Sequence, residues 1–423
     1  MDPNEIIAKL GRSARSAAGV LAASSGQRRN DALLACAAAL RAAGKGLRAA
    51  NAKDLALARR LALSPAMIDR LALTDKRIES MAATFEQVAA QTDPVGQALS
   101  ASNRPNGLRV EKRRVPIGVV GIIYESRPNV TADAAALCLK SANACILRGG
   151  KESLHSNLAI ARALHAGLKK AHLPPACVTV IDNTDHALVT AMARAEGLID
   201  LIIPRGGEPL IRAVVQAATV PVIKHYTGNC HVYVHAQADL AMAERIVLNA
   251  KCQRPGVCNA AETLLVDQAV ARDFLPPIAR ALLKAKVELR LSARARQVLP
   301  PALRARVKDA GEADWAAEYL DLILAVDVVD GLDQAVGHIN AHGSKHTDAI
   351  VTGSLAAAQA FVTGVDSASV MVNASTRFSD GGEYGLGAEI GISTDKLHAR
   401  CPMGAEDLTT YKWVVTGNGH VRT

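Results

Sequence analysis

The chain has 423 residues, and 49 % of them are hydrophobic, enough for two or three packed units and too many for a disordered protein. Aromatic residues make up only 3 %, which argues against base-stacking platforms and carbohydrate-binding surfaces. The net charge of +9, from 49 basic and 40 acidic residues, suits anionic ligands and does not by itself indicate nucleic acid.

Residues 1 to about 98 read as helices, with apolar residues at helical spacing: Ile6, Leu10 and Ala14, then Leu33, Ala37 and Leu40, then Ile78, Met81, Phe85 and Val88. Thr92-Asp93-Pro94 closes this region. A strand follows at 108–115 with the basic cluster Lys112, Arg113 and Arg114, which reads as a solvated or subunit-facing edge. An apolar, β-branched strand comes next at 117–123. From there helices at 129–141, 153–171, 185–195 and 208–217 alternate with strands at 144–147, 178–181, 201–203 and 221–223. A second α/β stretch runs from about 246 to 375, with strands at 262–266 and 322–328 around a helix at 269–285. Residues 409–415 read as a last strand. The pattern predicts an α/β fold with two doubly wound parallel-sheet domains.

The eight cysteines are scattered, with no Cys-x-x-Cys pair and no Cys/His spacing for a metal, a usage that suits a reducing cytoplasm. The first residues lack a basic stretch followed by an apolar one, and no apolar run approaches about 18 residues. Neither a signal peptide nor a membrane-spanning helix is expected.

Polar residues gather where strands end. Tyr124 to Val130 leaves an apolar strand and opens a helix, a place where open α/β sheets bind ligands. Asn129 is there either an oxyanion donor or a helix cap. Arg148-Gly149-Gly150-Lys151-Glu152 sets two cations beside two glycines at a helix start, either a phosphate site or a solvated loop. Lys151 is the candidate for a ribose 2′-phosphate. Arg205-Gly206-Gly207 is a second anion-binding turn or a plain strand-to-helix connection. His225 is an acid, a base or a ligand in one reading and a merely hydrogen-bonded histidine in the other.

The most informative segment runs from Lys251 to Asn259. An amphipathic stretch (Leu240, Ala243, Ile246, Val247, Ala250) meets Pro255-Gly256, and the lone thiol Cys258 follows just before the apolar run 263–266. That context puts Cys258 on a turn between two rigid elements, where a nucleophile projects into a cleft. A buried cysteine acting as a small hydrophobe is the alternative. The polar, Pro-Gly-broken run 253–259 is unlike a core strand and favours the nucleophile. Further on, Arg377 has the chemistry to clamp a carboxylate through two hydrogen bonds.

Taken together, these segments resemble the gamma-glutamyl phosphate reductase (glutamate-5-semialdehyde dehydrogenase) family of the aldehyde dehydrogenase superfamily. The resemblance is carried by residues 116–131, 146–152, 225–234, 253–260, 345–352 and 373–413, including Phe378-Ser379-Asp380-Gly381-Gly382-Glu383-Tyr384-Gly385-Leu386-Gly387. It implies a nucleotide-binding domain at 1–104 and 116–245, a catalytic domain at 246–375, and a linking segment at 376–402. It also implies a small β oligomerisation arm at 105–115 and 403–423. The implied reaction is NADPH-dependent reduction of L-glutamyl 5-phosphate to L-glutamate 5-semialdehyde and phosphate through a thioester on Cys258, the second step from glutamate to proline. Asn129 and the Cys258 N–H are the implied oxyanion donors. Arg148, Lys151, Arg205, Gly206, Gly207 and Glu318 are the implied cofactor-binding residues, and Arg127, His225 and Arg377 the substrate-binding ones. The implied partners are the small-molecule substrate, further copies of the chain and glutamate 5-kinase, with no nucleic acid, membrane or metal.

The chain departs from the wider pattern in two places. Ordinary aldehyde dehydrogenases carry a glutamate base about thirty residues before the cysteine, where this chain reads His225-Tyr226-Thr227-Gly228. Without that base a thioester is not lost to water. The family glycine before Pro402 is Cys401 here: tolerated if that backbone is extended, as before a proline, and disruptive to the tail arm if the glycine is needed for close approach. A related coenzyme A-dependent acylating aldehyde dehydrogenase is the alternative function, and a non-catalytic basic binding protein a more distant one.

Overall fold

The computed structural model describes residues 2–422. It separates into two units: Met1–Lys224 with Gly385–Gly391 and Met403–Thr423, and His225–Tyr384 with Ile392–Pro402.

The first unit opens with five helices, α1 (Pro3–Ala23), α2 (Gly26–Ala42), α3 (Gly44–Arg60), α4 (Pro65–Leu71) and α5 (Asp75–Ala90). Side-chain caps start three of them: Ser25 accepts from the Arg28 N–H, Ser64 from the Met67 N–H and Thr74 from the Arg77 N–H. The α2 stripe Ala32, Leu33, Cys36, Ala37 and Leu40 is buried, and α2 packs against α5. Next come β1 (Ala98–Asn103) and β2 (Arg109–Pro116), an antiparallel hairpin. The sequence reading has a single strand here. Polar β1, Ala-Leu-Ser-Ala-Ser-Asn, carries too little apolar alternation to announce itself.

The chain then builds β3 (Val119–Tyr124), α6 (Asn129–Lys140), β4 (Ala144–Arg148), α7 (Leu154–Lys170), β5 (Val178–Val180), α8 (Ala187–Ala193), β6 (Leu201–Arg205) and α9 (Glu208–Ala217). The four strands form a parallel sheet in the order β5-β4-β3-β6. Every residue of β3 is buried, as for a strand covered on both faces. The strand expected at 221–223 is reduced to one bridge between Ile202 and Val222. Pro221 at its start has no N–H to extend the ladder.

The second unit holds β7 (Cys230–Val234), α10 (Leu240–Cys252), β8 (Ala261–Asp267), α11 (Gln268–Lys284), β9 (Glu288–Leu291), α12 (Ala293–Val298), α13 (Pro301–Arg304) and β10 (Lys308–Asp309). It continues with β11 (Ile323–Val329), α14 (Leu332–His342), β12 (Thr347–Val351), α15 (Leu355–Gly364), β13 (Ser369–Val372) and the short hairpin β14 (Ile392–Ser393) and β15 (Cys401–Pro402). Seven parallel strands run in the order β10-β9-β11-β8-β7-β12-β13 over a core that includes Val232, Leu264, Phe274 and Leu324.

The last strand, β16 (Thr409–Thr416), belongs to the first unit and pairs antiparallel with β2 from Thr409↔Pro116 to Thr416↔Arg109. Lys112, Arg113 and Arg114 lie in this three-stranded sheet. Lys112 Nζ sits 3.6 Å above the Tyr411 ring, Arg113 pairs with Glu111, and Arg114 donates to Thr409 Oγ1 at 3.0 Å. Among the described residues no helix is long and apolar enough to cross a membrane.

Candidate active site

In the first unit, β3 is flanked by β4 on one side and β6 on the other, and the chain visits β4 and β5 before β6. The order therefore reverses between β3 and β6, whose carboxyl ends frame the crevice where such sheets bind ligands. Residues 125–129 and 205–207 occupy that edge. The Gly207 N–H, at the start of α9, donates to Glu125 Oε2 at 2.9 Å. A Cβ on Gly206 would lie 2.4 Å from the same oxygen. This helix start already holds one anionic group, the Glu125 carboxylate, and with no side chain on Gly206 or Gly207 a phosphate can take that place. The residues present fit a dinucleotide's phosphates.

The neighbouring turn is held by Glu152, whose Oε1 accepts from the Ser126 N–H at 2.7 Å and its Oγ at 2.6 Å. Ser126 has φ +40°, a left-handed conformation a serine resists, and Glu152 secures it. The sequence-predicted cations then divide. Lys151 is exposed at the start of the turn into α7. Arg148 is buried and donates to the Thr184 carbonyl at 2.8 Å. Burial pulls its pKa down, against Glu152, Asp185 and Glu125, which hold it up. Arg205 pairs with Glu389 at 3.0 Å.

Asn129 is exposed at the first position of α6 and makes no cap; its Nδ2 donates to Asp133 Oδ2 at 2.9 Å. The partly buried Asp133 carboxyl is pushed up to about 7, chiefly by burial and then by Glu389, against the lowering by the Asn129 hydrogen bond and Arg205. Arg127 lies half-buried on the loop before α6.

In the second unit, Cys258 lies half-buried on the turn between α10 and β8. The groups around it come from the amino-terminal ends of strands. Gly228, just before β7, packs so tightly that a Cβ would sit 2.1 Å from the Cys258 carbonyl oxygen. The same carbonyl accepts from Cys230 Sγ at 3.2 Å. Cys230 Sγ lies 3.7 Å from His346 Nδ1, and the His346 ring meets the half-buried His225 edge-on at 5.8 Å. Asn259 donates to the Ser379 carbonyl at 2.9 Å, tying the cysteine turn to the segment after β13.

That segment brings Arg377, whose Nε donates to Gln253 Oε1 at 2.9 Å. Burial pulls the Arg377 guanidinium below its ordinary value, as does Arg254, while Asp380 and the Cys258 and Cys230 sulfurs oppose that pull. Arg377 and Gln253 line a cleft of about 240 Å³ with Asn249, Phe378, Asp380 and Glu383. Glu318 is half-buried on the approach to β11 and acts on Glu262, a buried residue of β8.

The second unit therefore gathers Cys258, His225 and Arg377, with Glu318 beside Glu262. The first gathers Arg127, Asn129, Arg205, Gly206 and Gly207 at one sheet edge, with Arg148 and Lys151 at the end of the adjacent strand β4. Asp133, Glu152, Gly228, Cys230 and His346 receive no role from the sequence alone. One signal was present: Asn129 and Asp133 stand four apart in a largely apolar helix. Nothing local marks Gly228 or Cys230, because their roles depend on a contact with a turn some thirty residues away.

Cys401 has φ +87°, so the glycine of the family pattern is replaced at a position with a glycine's backbone. The extended conformation expected before proline is not adopted. Its Sγ lies 3.0 Å from Ser369 Oγ, and the ladder between β2 and β16 is intact.

The aldehyde dehydrogenase family model matches residues 3–309. The chain is 55 % identical over 418 residues to a gamma-glutamyl phosphate reductase of Geobacter metallireducens, covering 99 % of each. It is 53 % identical over 412 residues to that of Moorella thermoacetica, covering 97 % of each. The crystal structure of a gamma-glutamyl phosphate reductase from Thermotoga maritima superposes with a TM-score of 0.95 at 45 % identity, covering 99 % of this chain and 100 % of that one. The chain belongs to the gamma-glutamyl phosphate reductase family of the aldehyde dehydrogenase superfamily.

Proposed function

We propose that the chain reduces L-glutamyl 5-phosphate to L-glutamate 5-semialdehyde through a thioester on Cys258, releasing phosphate, in the second step from glutamate to proline. The observation that supports this most is the placement of Cys258, half-buried on a turn whose next residue, Asn259, is tied to Ser379 in the segment that brings Arg377 to an open cleft. In this reading the Cys258 thiolate attacks the acyl carbon, the carbon–oxygen bond to phosphate breaks, and phosphate leaves with the electron pair. The thioester carbon then accepts hydride, the carbon–sulfur bond breaks, and aldehyde and thiolate are released. NADPH, when bound, supplies that hydride. The Gly206-Gly207 turn would hold its phosphates and Lys151 its ribose 2′-phosphate, with Arg148 and Arg205 shaping the edge and Glu318 binding the nicotinamide ribose. Asn129 and the Cys258 N–H donate to the oxyanion, and Arg127, His225 and Arg377 bind the substrate. No carboxylate occupies 225–228 to direct water at the thioester.

The first unit binds the dinucleotide in this reading and the second carries the thiol. The three-stranded sheet of β1, β2 and β16 is the arm that joins copies of the chain. Leu99, Tyr411, Trp413 and Val415 on it are exposed, an apolar set a lone chain would bury. The test is oxidation of glutamate semialdehyde with NADP and phosphate, which is expected to proceed and to stop in Cys258→Ser. Turnover by Cys258→Ser, or turnover that requires coenzyme A in place of phosphate, contradicts the proposal.

A further inference from the structure

Helix α6 is enclosed almost completely. Val130, Thr131, Ala132 and every residue from Ala134 to Lys140 are buried, leaving only Asn129 and Asp133 in contact with open space. Four residues apart, these two share one face of the helix. A carboxylate in a helix of alanine and leucine normally needs a cation. The nearby arginine, Arg205, is already paired with Glu389, and the polar partner of Asp133 is the Asn129 amide at 2.9 Å. While Asp133 is ionised its carboxylate only accepts, so the bond fixes which end of the Asn129 side chain faces it and leaves the second Nδ2 hydrogen pointing elsewhere.

From this geometry we infer that Asp133 is a positioning residue: its carboxylate orients the Asn129 amide so that the remaining N–H meets the oxyanion formed at the thioester carbon. The inference rests on the role proposed above for Asn129. A helix-start charge alone would not need Asn129 as its partner, whereas an amide free to turn over would have to be reoriented before it could donate to the oxyanion.

The test measures kcat and KM of Asp133→Leu, Asp133→Asn, Asn129→Ala and the double variant Asp133→Leu/Asn129→Ala, with thermal melting as a check on folding. Leucine matches the carboxylate in size, suits the apolar surroundings and accepts no hydrogen bond; Asp133→Ala repeats the measurement should leucine not be accommodated. Asn129→Ala is expected to lower kcat about 100-fold. Asp133→Leu is expected to lower kcat about tenfold with KM changed less than about twofold, and Asp133→Asn, which still accepts, to stay within about threefold of wild type. In the Asn129→Ala background the leucine change is expected to cost nothing further, because its effect passes through the amide. Equal losses from Asp133→Leu with and without Asn129, or no loss at all, overturn the inference. Full activity in Asn129→Ala instead overturns the oxyanion role on which it rests.

Discussion

Lys251 and Glu262 meet as a fully buried ion pair, Nζ to Oε2 2.5 Å, at the two ends of the segment that carries Cys258. Lys251 is in the last turn of α10 and Glu262 near the start of β8, so the pair closes the base of the turn. Glu262 also accepts from the Leu320 N–H at 3.2 Å through its other oxygen. Burial pushes Glu262 up to about 7 and pulls Lys251 down; for each, attraction to its partner opposes the shift and does not cancel it.

Removing one member strands the other charge without water. Lys251→Met is expected to destabilise the protein by about 3 kcal/mol, and Lys251→Met/Glu262→Leu to recover more than half of that. Scanning calorimetry of the three proteins decides the matter. A double variant no more stable than the single one would show that the stranded Glu262 charge is not what destabilises Lys251→Met.

Gly228→Ala tests the packing beneath the nucleophile. A Cβ there has to displace the Cys258 carbonyl oxygen, 2.1 Å away, and a peptide backbone cannot step aside as a flexible side chain can. Activity is expected to fall about 100-fold, and alkylation of Cys258 by iodoacetamide to change rate. A variant with wild-type kcat would mean the turn relaxes without moving the sulfur.

Cys401 holds a glycine's backbone conformation at φ +87°. Cys401→Gly removes that strain and is expected to stabilise the fold by about 1 kcal/mol, less the lost contact with Ser369 and the greater freedom of an unfolded glycine. Denaturant titration measures it. Lower stability in the variant would show that the contact outweighs the strain.

His338 is pulled down to about 3 by burial first, then by His231 and His342. Its ring meets Trp315 edge-on at 5.4 Å, and Nε2 is buried without a partner. A histidine with a depressed folded value adds stability that is complete above its unfolded value of 6.5 and lost as pH falls toward the folded one. Between about pH 7 and about pH 4.5, wild type is expected to lose on the order of 2 kcal/mol more than His338→Leu, allowing for partial exposure of the ring. Parallel pH–stability curves for the two proteins would refute this.

The α/β alternation was readable because the buried strands in the first unit are short apolar runs, mostly β-branched, and the helices are amphipathic or alanine-rich. The turn of Cys258 was equally plain, since Pro255-Gly256 interrupts helical spacing just before an apolar strand. What escaped depends on distance in sequence. β1 became a strand only through β2, and β2 is in turn completed by β16 from the far end of the chain. The cysteine turn lies at the amino ends of its strands, where the carboxyl-edge rule that located the Gly206 turn gives no guidance. Asp133 was legible in principle, because a carboxylate one helical turn after an asparagine among alanines has few other uses.

The path of the chain has a practical outcome. It leaves the first unit after Lys224, returns for Gly385–Gly391, leaves again, and comes back at Met403. A fragment ending at Lys224 would therefore lack β16 and leave one whole edge of β2 with bare amides and carbonyls. Such an edge recruits other strands, so that fragment would clump rather than serve as a free-standing cofactor-binding half. The tail secures solubility for a piece of protein synthesised three hundred residues earlier.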